Sequence, residues 1–254
     1  MSTEIPTAEQ REEDADEWEP APPDGDLVEY HDNGAVRGRY FFSNGQLQGA
    51  VSLYDEEGRL VQSAQFLAGE LHGEMTIYQQ GRVSQVVHFM HGKMAGSALV
   101  YEESGALLQT LEYQNGLLHG LGKQYEGGRL RSESHYQNDK LHGKTIYYQA
   151  DGKISGIAHY EKGVLHGESR WFNEDGVLVK IQPYFHGKIH GEVLSYYPNG
   201  ELQEKADYHL DMRYGEVINY YPNGKVQQSL YYKEGKPYGE KIEFDHRGRQ
   251  VPAA

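Results

Sequence analysis

The sequence predicts an all-β protein, an elongated single-sheet array of about ten antiparallel β-hairpins that is twisted or curled. Three observations predict it. A glycine recurs at Gly25, Gly49, Gly73, Gly96, Gly120, Gly143, Gly167, Gly191, Gly215 and Gly239, at intervals of 24 residues or, twice, 23. Five residues after each stands an aromatic: Tyr30, Tyr54, Tyr78, Tyr101, Tyr125, Tyr148, Phe172, Tyr196, Tyr220 and Phe244. After the aromatic comes a turn dipeptide, clearest in Asn33-Gly34, Asp151-Gly152, Asp175-Gly176, Asn199-Gly200 and Asn223-Gly224. Such dipeptides tolerate the positive φ of tight hairpin turns.

Two units follow from the composition along the chain. Residues 1–24 carry nine acids and one base, four prolines and one large apolar residue, Trp18. A segment that buries so little does not offset its ordering entropy, so an acidic, disordered tail is expected. Residues 25–251 form the array.

Counting each repeat from its recurring glycine as position 0, a first strand runs to the aromatic at +5. Past the turn, a second strand starts at an aliphatic residue such as Leu60, Leu178 or Leu202 and ends at a second aromatic: Phe42, Phe66, Phe89, Tyr113, Tyr136, Tyr160, Tyr184, Tyr208 and Tyr232. A second turn, as in Gly163-Val164-Leu165-His166-Gly167, returns the chain to the next repeat. The two short repeats lose their residue at Gln80-Gly81 and at Gly127-Gly128, inside the first turn, so the pairing register survives. Alternation along strands puts +3 and +5 on one side. The second strand's aliphatic, +15 and +17 residues are expected to join them, giving one buried face that successive repeats cover for one another.

Composition narrows the function. The net charge is −14, of which the first 24 residues supply −8. That balance excludes a basic footprint for nucleic acid or anionic lipid and suits a basic protein partner. No stretch approaches the roughly 18 apolar residues of a membrane span, and the N-terminus lacks a signal-peptide pattern. With no cysteine there is no disulfide or thiolate metal site, in keeping with a reducing compartment. The expected location is the cytoplasm.

The combination Leu-His-Gly, aromatic at +5, Asn-Gly turn, then Leu and Tyr resembles the MORN repeat, in the variant form of bacterial YwqK-type antitoxin-like proteins. Leu71-His72-Gly73, Leu118-His119-Gly120, Leu141-His142-Gly143, Leu165-His166-Gly167 and Ile189-His190-Gly191 carry the resemblance best. Other repeats replace the histidine by Gln48, Ala95, Tyr214 or Tyr238. The resemblance implies a cytoplasmic antitoxin or immunity protein that binds and occludes a cognate toxin or secreted effector, often one delivered by a type VI secretion system. The alternative is a scaffolding repeat protein that self-associates or organises partners.

His72, His119, His142, His166 and His190, with Gly73, Gly120, Gly143, Gly167 and Gly191, occupy one repeat position, and their expected role is structural. The competing reading is a histidine ladder that binds a cation or senses pH. No mixed His, Asp and Glu cluster, nucleophile elbow, phosphate loop or dinucleotide fingerprint is present. No enzyme activity, catalytic residue, metal or cofactor is expected.

On the other face the repeats diverge. At +2 and +4 stand Val51 and Leu53, Met75 and Ile77, Ala98 and Val100, and the second strand is expected to add Val61, Val86 and Leu108. Tyr147, Trp171, Val179 and Ile181 form a second expected apolar island. Apolar residues on both sides of one sheet call for a cause: curling, dimerisation, or a partner. The candidate partner-binding residues are therefore Leu53, Met75, Ile77, Val100, Tyr147, Trp171, Val179 and Ile181, framed by Glu102 and Glu103.

Overall fold

The structure, a computed structural model, describes residues 22–252. Of the expected tail only Pro22, Pro23 and Asp24 fall among them; the rest lies outside the described residues.

The described chain is one antiparallel sheet of 25 strands in which each strand pairs with the one just before or just after it along the sequence, and Gln46–Leu47 and Gly49–Tyr54, for example, both pair with Val36–Ser43. No second layer exists among these residues, and repeats one to nine follow one plan, which the tenth, with strands Ile242–Phe244 and Gln250–Val251, keeps only in part. In the eighth, Gly191–Tyr196 pairs with Leu202–His209 from Gly191↔Tyr208 to Tyr196↔Leu202. The strand Met212–Tyr220 then continues the sheet through Glu204↔Asn219, Ala206↔Val217 and Tyr208↔Arg213.

All ten recurring glycines have positive φ, from 74° at Gly49 to 117° at Gly120. This is backbone that an L side chain resists, and it is what demands glycine there. The glycine sits where three residues oppose one: in the sixth repeat, His142, Gly143 and Lys144 lie between the pairs Tyr136↔Leu141 and Ser134↔Thr145, opposite His135 alone. The side chain of that single opposing residue reaches into the gap, as His135 Nδ1 meets the Lys144 carbonyl at 3.1 Å and His159 Nδ1 the Glu168 carbonyl at 2.7 Å.

A second irregularity corrects the expected faces. Opposite the +4/+5 pair of repeats two to eight the second strand holds one extra residue: Val61, Ser84, Leu108, Arg131, Ser155, Val179 and Gln203. Such a bulge shifts the rest of the strand by one residue and so reverses which face each side chain takes. Position +15 pairs with +2, as in Ala64↔Val51 and Ala206↔Val193, and +17 pairs with the glycine. The second-strand aromatics therefore share a face with +2 and +4, not with the first aromatics at +5. Val86 pairs with Thr76 and lies on the +3 face, while Val61 and Leu108 are themselves the extra residues.

Hydrogen bonds at both margins tie repeat to repeat. At the second turns, backbone N–H groups donate to the preceding repeat: Gly69 to Leu47, Gly92 to Leu71, Gly163 to Leu141, Gly187 to Leu165 and Asp211 to Ile189, all within 2.7–2.9 Å. For Gly45 the acceptor is the Asp24 carboxylate, at 3.1 Å. At the first turns, side chains make the link. Asn33, Asn199 and Asn223 each donate from Nδ2 to a carbonyl one repeat on, of Glu56, Pro222 and His246. Tyr197 and Tyr221 donate likewise to Tyr220 and Phe244. Where the turn is one residue short, Arg82 and Arg129 span the gap to the carbonyls of Glu103 and Ala150.

Candidate partner-binding face

The centre of the +2/+15 face is a row of small or branched residues, most of them buried: Val51, Ala64, Val87, Ala98, Ser134, Thr145, Ala158, Ser169, Val193, Ala206 and Val217. Larger side chains flank and shelter it. On the second-turn side stand the second-strand aromatics, cross-paired with aliphatics, as in Phe66↔Leu71, Tyr160↔Leu165 and Tyr184↔Ile189. On the first-turn side stand the +4 residues. Rings lean over the central backbone: carbons of Trp171 lie 2.5 Å from where a Cβ on Gly156 would be, and Tyr136 closes on Gly122 at 2.8 Å.

Repeats six and seven carry the densest part of this face. Tyr147 and Trp171 stack with centroids 5.9 Å apart and 23° between their planes. The Tyr147 hydroxyl meets that of Tyr160 at 3.0 Å, and Gln182 donates to the Tyr184 hydroxyl at 2.7 Å. Burial raises the phenol of Tyr147, and the Tyr160 hydroxyl adds to that; burial likewise raises Tyr136 and Tyr184. At the N-terminal end burial, reinforced by Glu29, pushes Tyr40 up to about 12. The phenols are thus uncharged near neutral pH, and the face presents neutral, amphipathic rings. Ser169, fully buried two residues before Trp171, has no hydrogen-bond partner for its hydroxyl among the described residues.

In the ninth repeat the aliphatic position is taken by Arg213. It donates two hydrogen bonds to Glu204 at 2.9 and 3.0 Å and one to Tyr208, and its guanidinium lies 5.6 Å from the Tyr232 ring centroid. Burial pulls this guanidinium down, but the Tyr208 hydrogen bond and the Glu204 charge outweigh it and hold the group above its ordinary value. The opposite face carries ion pairs such as Lys123–Glu133 at 3.1 Å and Lys205–Glu192.

The structure brings together part of the expected site. Leu53, Met75, Ile77, Val100, Tyr147 and Trp171 all lie on the aromatic face, in register along the array. Ile181 does not join them: it pairs with Arg170, on the other face, and Val179 is the extra residue of its bulge. Glu102 and Glu103 sit in the fourth repeat's first turn, beside a 260 Å³ hollow lined also by Gln80, Arg82 and Tyr101. A hollow of 530 Å³ beside Arg129, Leu130 and Tyr148 marks the other short turn. The +17 aromatics belong to the site although sequence alternation assigned them elsewhere.

Each repeat histidine stands just before its positive-φ glycine, and three pack against a ring from the following second turn. Centroids are 5.1 Å apart for His72–His91, 5.1 Å for His166–His186 and 4.9 Å for His190–His209, with Phe185 between His166 and His190. His119 is half-buried and His142 exposed. Among the described residues no group of three or more His, Asp or Glu side chains is placed to hold a metal ion.

Residues 141–162, 165–186, 189–209 and 213–245 match the family model described as the MORN repeat variant. These four stretches are MORN-variant repeats. The repeats before them share the left-handed glycine, the aromatic at +5 and the pairing register of the MORN-variant plan. No curated protein matches the chain. Among solved structures it is similar to TarM (16% identity, TM-score 0.27, over 35% of this chain and 18% of that one). It is also similar to TcdB2-TccC3-Cdc42 (12%, TM-score 0.19, over 85% and 16%). A third is a porin-like protein from Bacteroides uniformis (11%, TM-score 0.22, over 87% and 96%). The chain thus spans less than a fifth of the length of the first two. No helix among the described residues is long and apolar enough to cross a membrane.

Proposed function

We propose that the MORN-variant ribbon is a stoichiometric protein binder, acting in the cytoplasm as an antitoxin or immunity protein that occludes a cognate toxin or secreted effector. The observation that carries the reading is the aromatic face itself. Its rings and aliphatics line up over successive repeats, stay only half-buried, and have no second layer above them among the described residues. A continuous apolar surface of this kind marks an interaction site, and Tyr and Trp are enriched among interface anchors. Repeats that bury little alone supply an extended surface once stacked.

The test is affinity capture with tagged full-length protein, in parallel with a Trp171→Ala, Tyr147→Ala variant, followed by co-expression of any partner recovered. A growth-inhibiting protein held in equal ratio by the wild type, lost with the variant, and harmless when co-expressed supports the reading. Capture of the same protein by both forms removes the aromatic face from it, and a recovered partner that is harmless alone removes the antitoxin role. Self-association through the outer strand Gly25–Tyr30 is the weaker reading. Its exposed Asp26 and Glu29 would bring like charges to the paired edges of both copies.

A further inference from the structure

Two properties of the first-turn margin coincide over the first part of the array. At +4, one residue before the strand enters that turn, repeats two, three, four, six and seven present Leu53, Ile77, Val100, Tyr147 and Trp171. Gln124 interrupts the run in repeat five, and the run is bounded by Glu29 before it and by Ser195 and Asn219 after it. In repeats two, four and seven the turn tips carry Glu56, Glu102, Glu103, Glu174 and Asp175. Of the cations on this margin, Arg59 pairs with Asp55 and Glu57, Lys153 with Asp151 and Arg131 with Glu126, while Arg82, Arg129 and Lys153 donate to the backbone carbonyls of Glu103, Ala150 and Glu174. Among the described residues those five tip carboxylates make no ion pair. Beyond the run the eighth tip keeps Glu201, while the ninth and tenth carry Lys225 and Arg247, with Arg249 paired to Asp245.

We infer that this margin of repeats two to seven is the docking surface for a basic amphipathic protein segment, whose apolar side chains lie on the +4 column while its lysines or arginines meet the tip carboxylates. The inference rests on the partner-binding reading and specifies the partner's chemistry. Charge complementarity selects the occupant. Unpaired carboxylates beside an apolar strip steer cations toward it and repel anions, and the strip supplies the contact that excludes water. A second copy of the chain fits poorly, because its own corresponding margin is equally acidic.

The probe is a short fluorescein-labelled peptide of alternating Lys and Leu, with an alternating Glu and Leu peptide as its counterpart, followed by anisotropy at low and moderate salt. Two quadruple variants of equal net charge separate local recognition from the overall acidity of the chain. One is Glu56→Gln, Glu102→Gln, Glu103→Gln, Glu174→Gln; the other is Glu70→Gln, Glu216→Gln, Glu234→Gln, Glu240→Gln. The expected result is binding of the basic peptide only, weakened about tenfold by the first variant and by Trp171→Ala, and unchanged by the second. Equal weakening by both quadruple variants, no binding to the wild type, or preference for the acidic peptide each overturns the inference. None of these outcomes touches the partner-binding reading, which stands or falls on the capture experiment. The substituted carboxylates are surface groups whose backbone hydrogen bonds are untouched, so a folding defect is not expected, and circular dichroism checks it.

Discussion

Trp171 and Gly156 form a lock between neighbouring repeats: the indole occupies the space that any side chain at 156 would need, and it is stacked there against Tyr147. Gly156 has no positive φ, so the ring, and not the backbone, requires the glycine. Gly156→Ala should push the indole off its seat, shift tryptophan emission and cost about 1–3 kcal/mol, as overpacking does. Urea titration followed by fluorescence, in a background where Trp18 is Phe, measures both.

Gly191 differs from Gly156 in kind. Its φ is 107° and a Cβ would stand 3.2 Å from Pro183 Cγ, so backbone and packing both resist a side chain. Gly191→Ala is expected to destabilise by about 1–3 kcal/mol. The companion Gly191→Ala, Pro183→Ala variant relieves the contact but not the φ, and it should recover only part of the loss.

The turn asparagines act as staples between repeats. Asn199 accepts from the Glu201 N–H and donates to the Pro222 carbonyl, and Asn223 repeats the arrangement one unit on. Asn199→Ala should cost about 1 kcal/mol. Hydrogen exchange should rise at the turns of repeats eight and nine while the distant repeats keep their protection.

Glu204 and Arg213 depend on one another. Glu204→Gln leaves a half-buried guanidinium with its charge uncompensated, and a loss of about 1–3 kcal/mol is expected. Adding Arg213→Leu, which restores the aliphatic of the other repeats, should return most of it. A double-mutant cycle by urea denaturation reads the coupling.

The Lys123–Glu133 pair sets opposite pH limits. The Lys123 ammonium, with help from the Tyr148 hydroxyl, holds the Glu133 carboxyl below its usual value, and Glu133 raises Lys123. A depressed carboxyl stabilises the fold above its unfolded pKa and loses that contribution as pH falls through the folded one. A raised lysine stabilises below its unfolded pKa and loses its share as pH rises through the folded value. Glu133→Gln should therefore flatten the acid limb of the stability profile below about pH 4.5 and also the alkaline limb, measured as urea midpoints across pH.

Much of this was legible in the sequence, and the division has a physical cause. Gly191 and Tyr196 are fixed by backbone geometry and hairpin pairing, so they recur at constant spacing and announce the array. The extra residue of the bulge is left out of the pairing, so it is free to vary: Val61, Ser84, Arg131, Val179 and Gln203 have nothing in common. Without that mark, alternation ran one residue out of phase along every second strand. Trp171 and Tyr147 precede the bulge, so alternation and the observed pairing put them on one face; Ile181 lies beyond it and takes the other. The carboxylates at the tips were visible as residues, but which of them lacked a cation was set by three-dimensional neighbours.

The strand order has a consequence for how the chain reaches this state. Since every strand pairs with the one just before or after it, no hydrogen-bonded ladder has to wait for distant segments to meet. Loop closure is short everywhere, unlike in the sandwiches and barrels that make all-β proteins slow to form. Nucleation can begin at any adjacent pair of repeats and spread both ways. Duplicating or excising one whole repeat within the interior should therefore change the length of the ribbon and its total stability while leaving the refolding rate nearly unchanged.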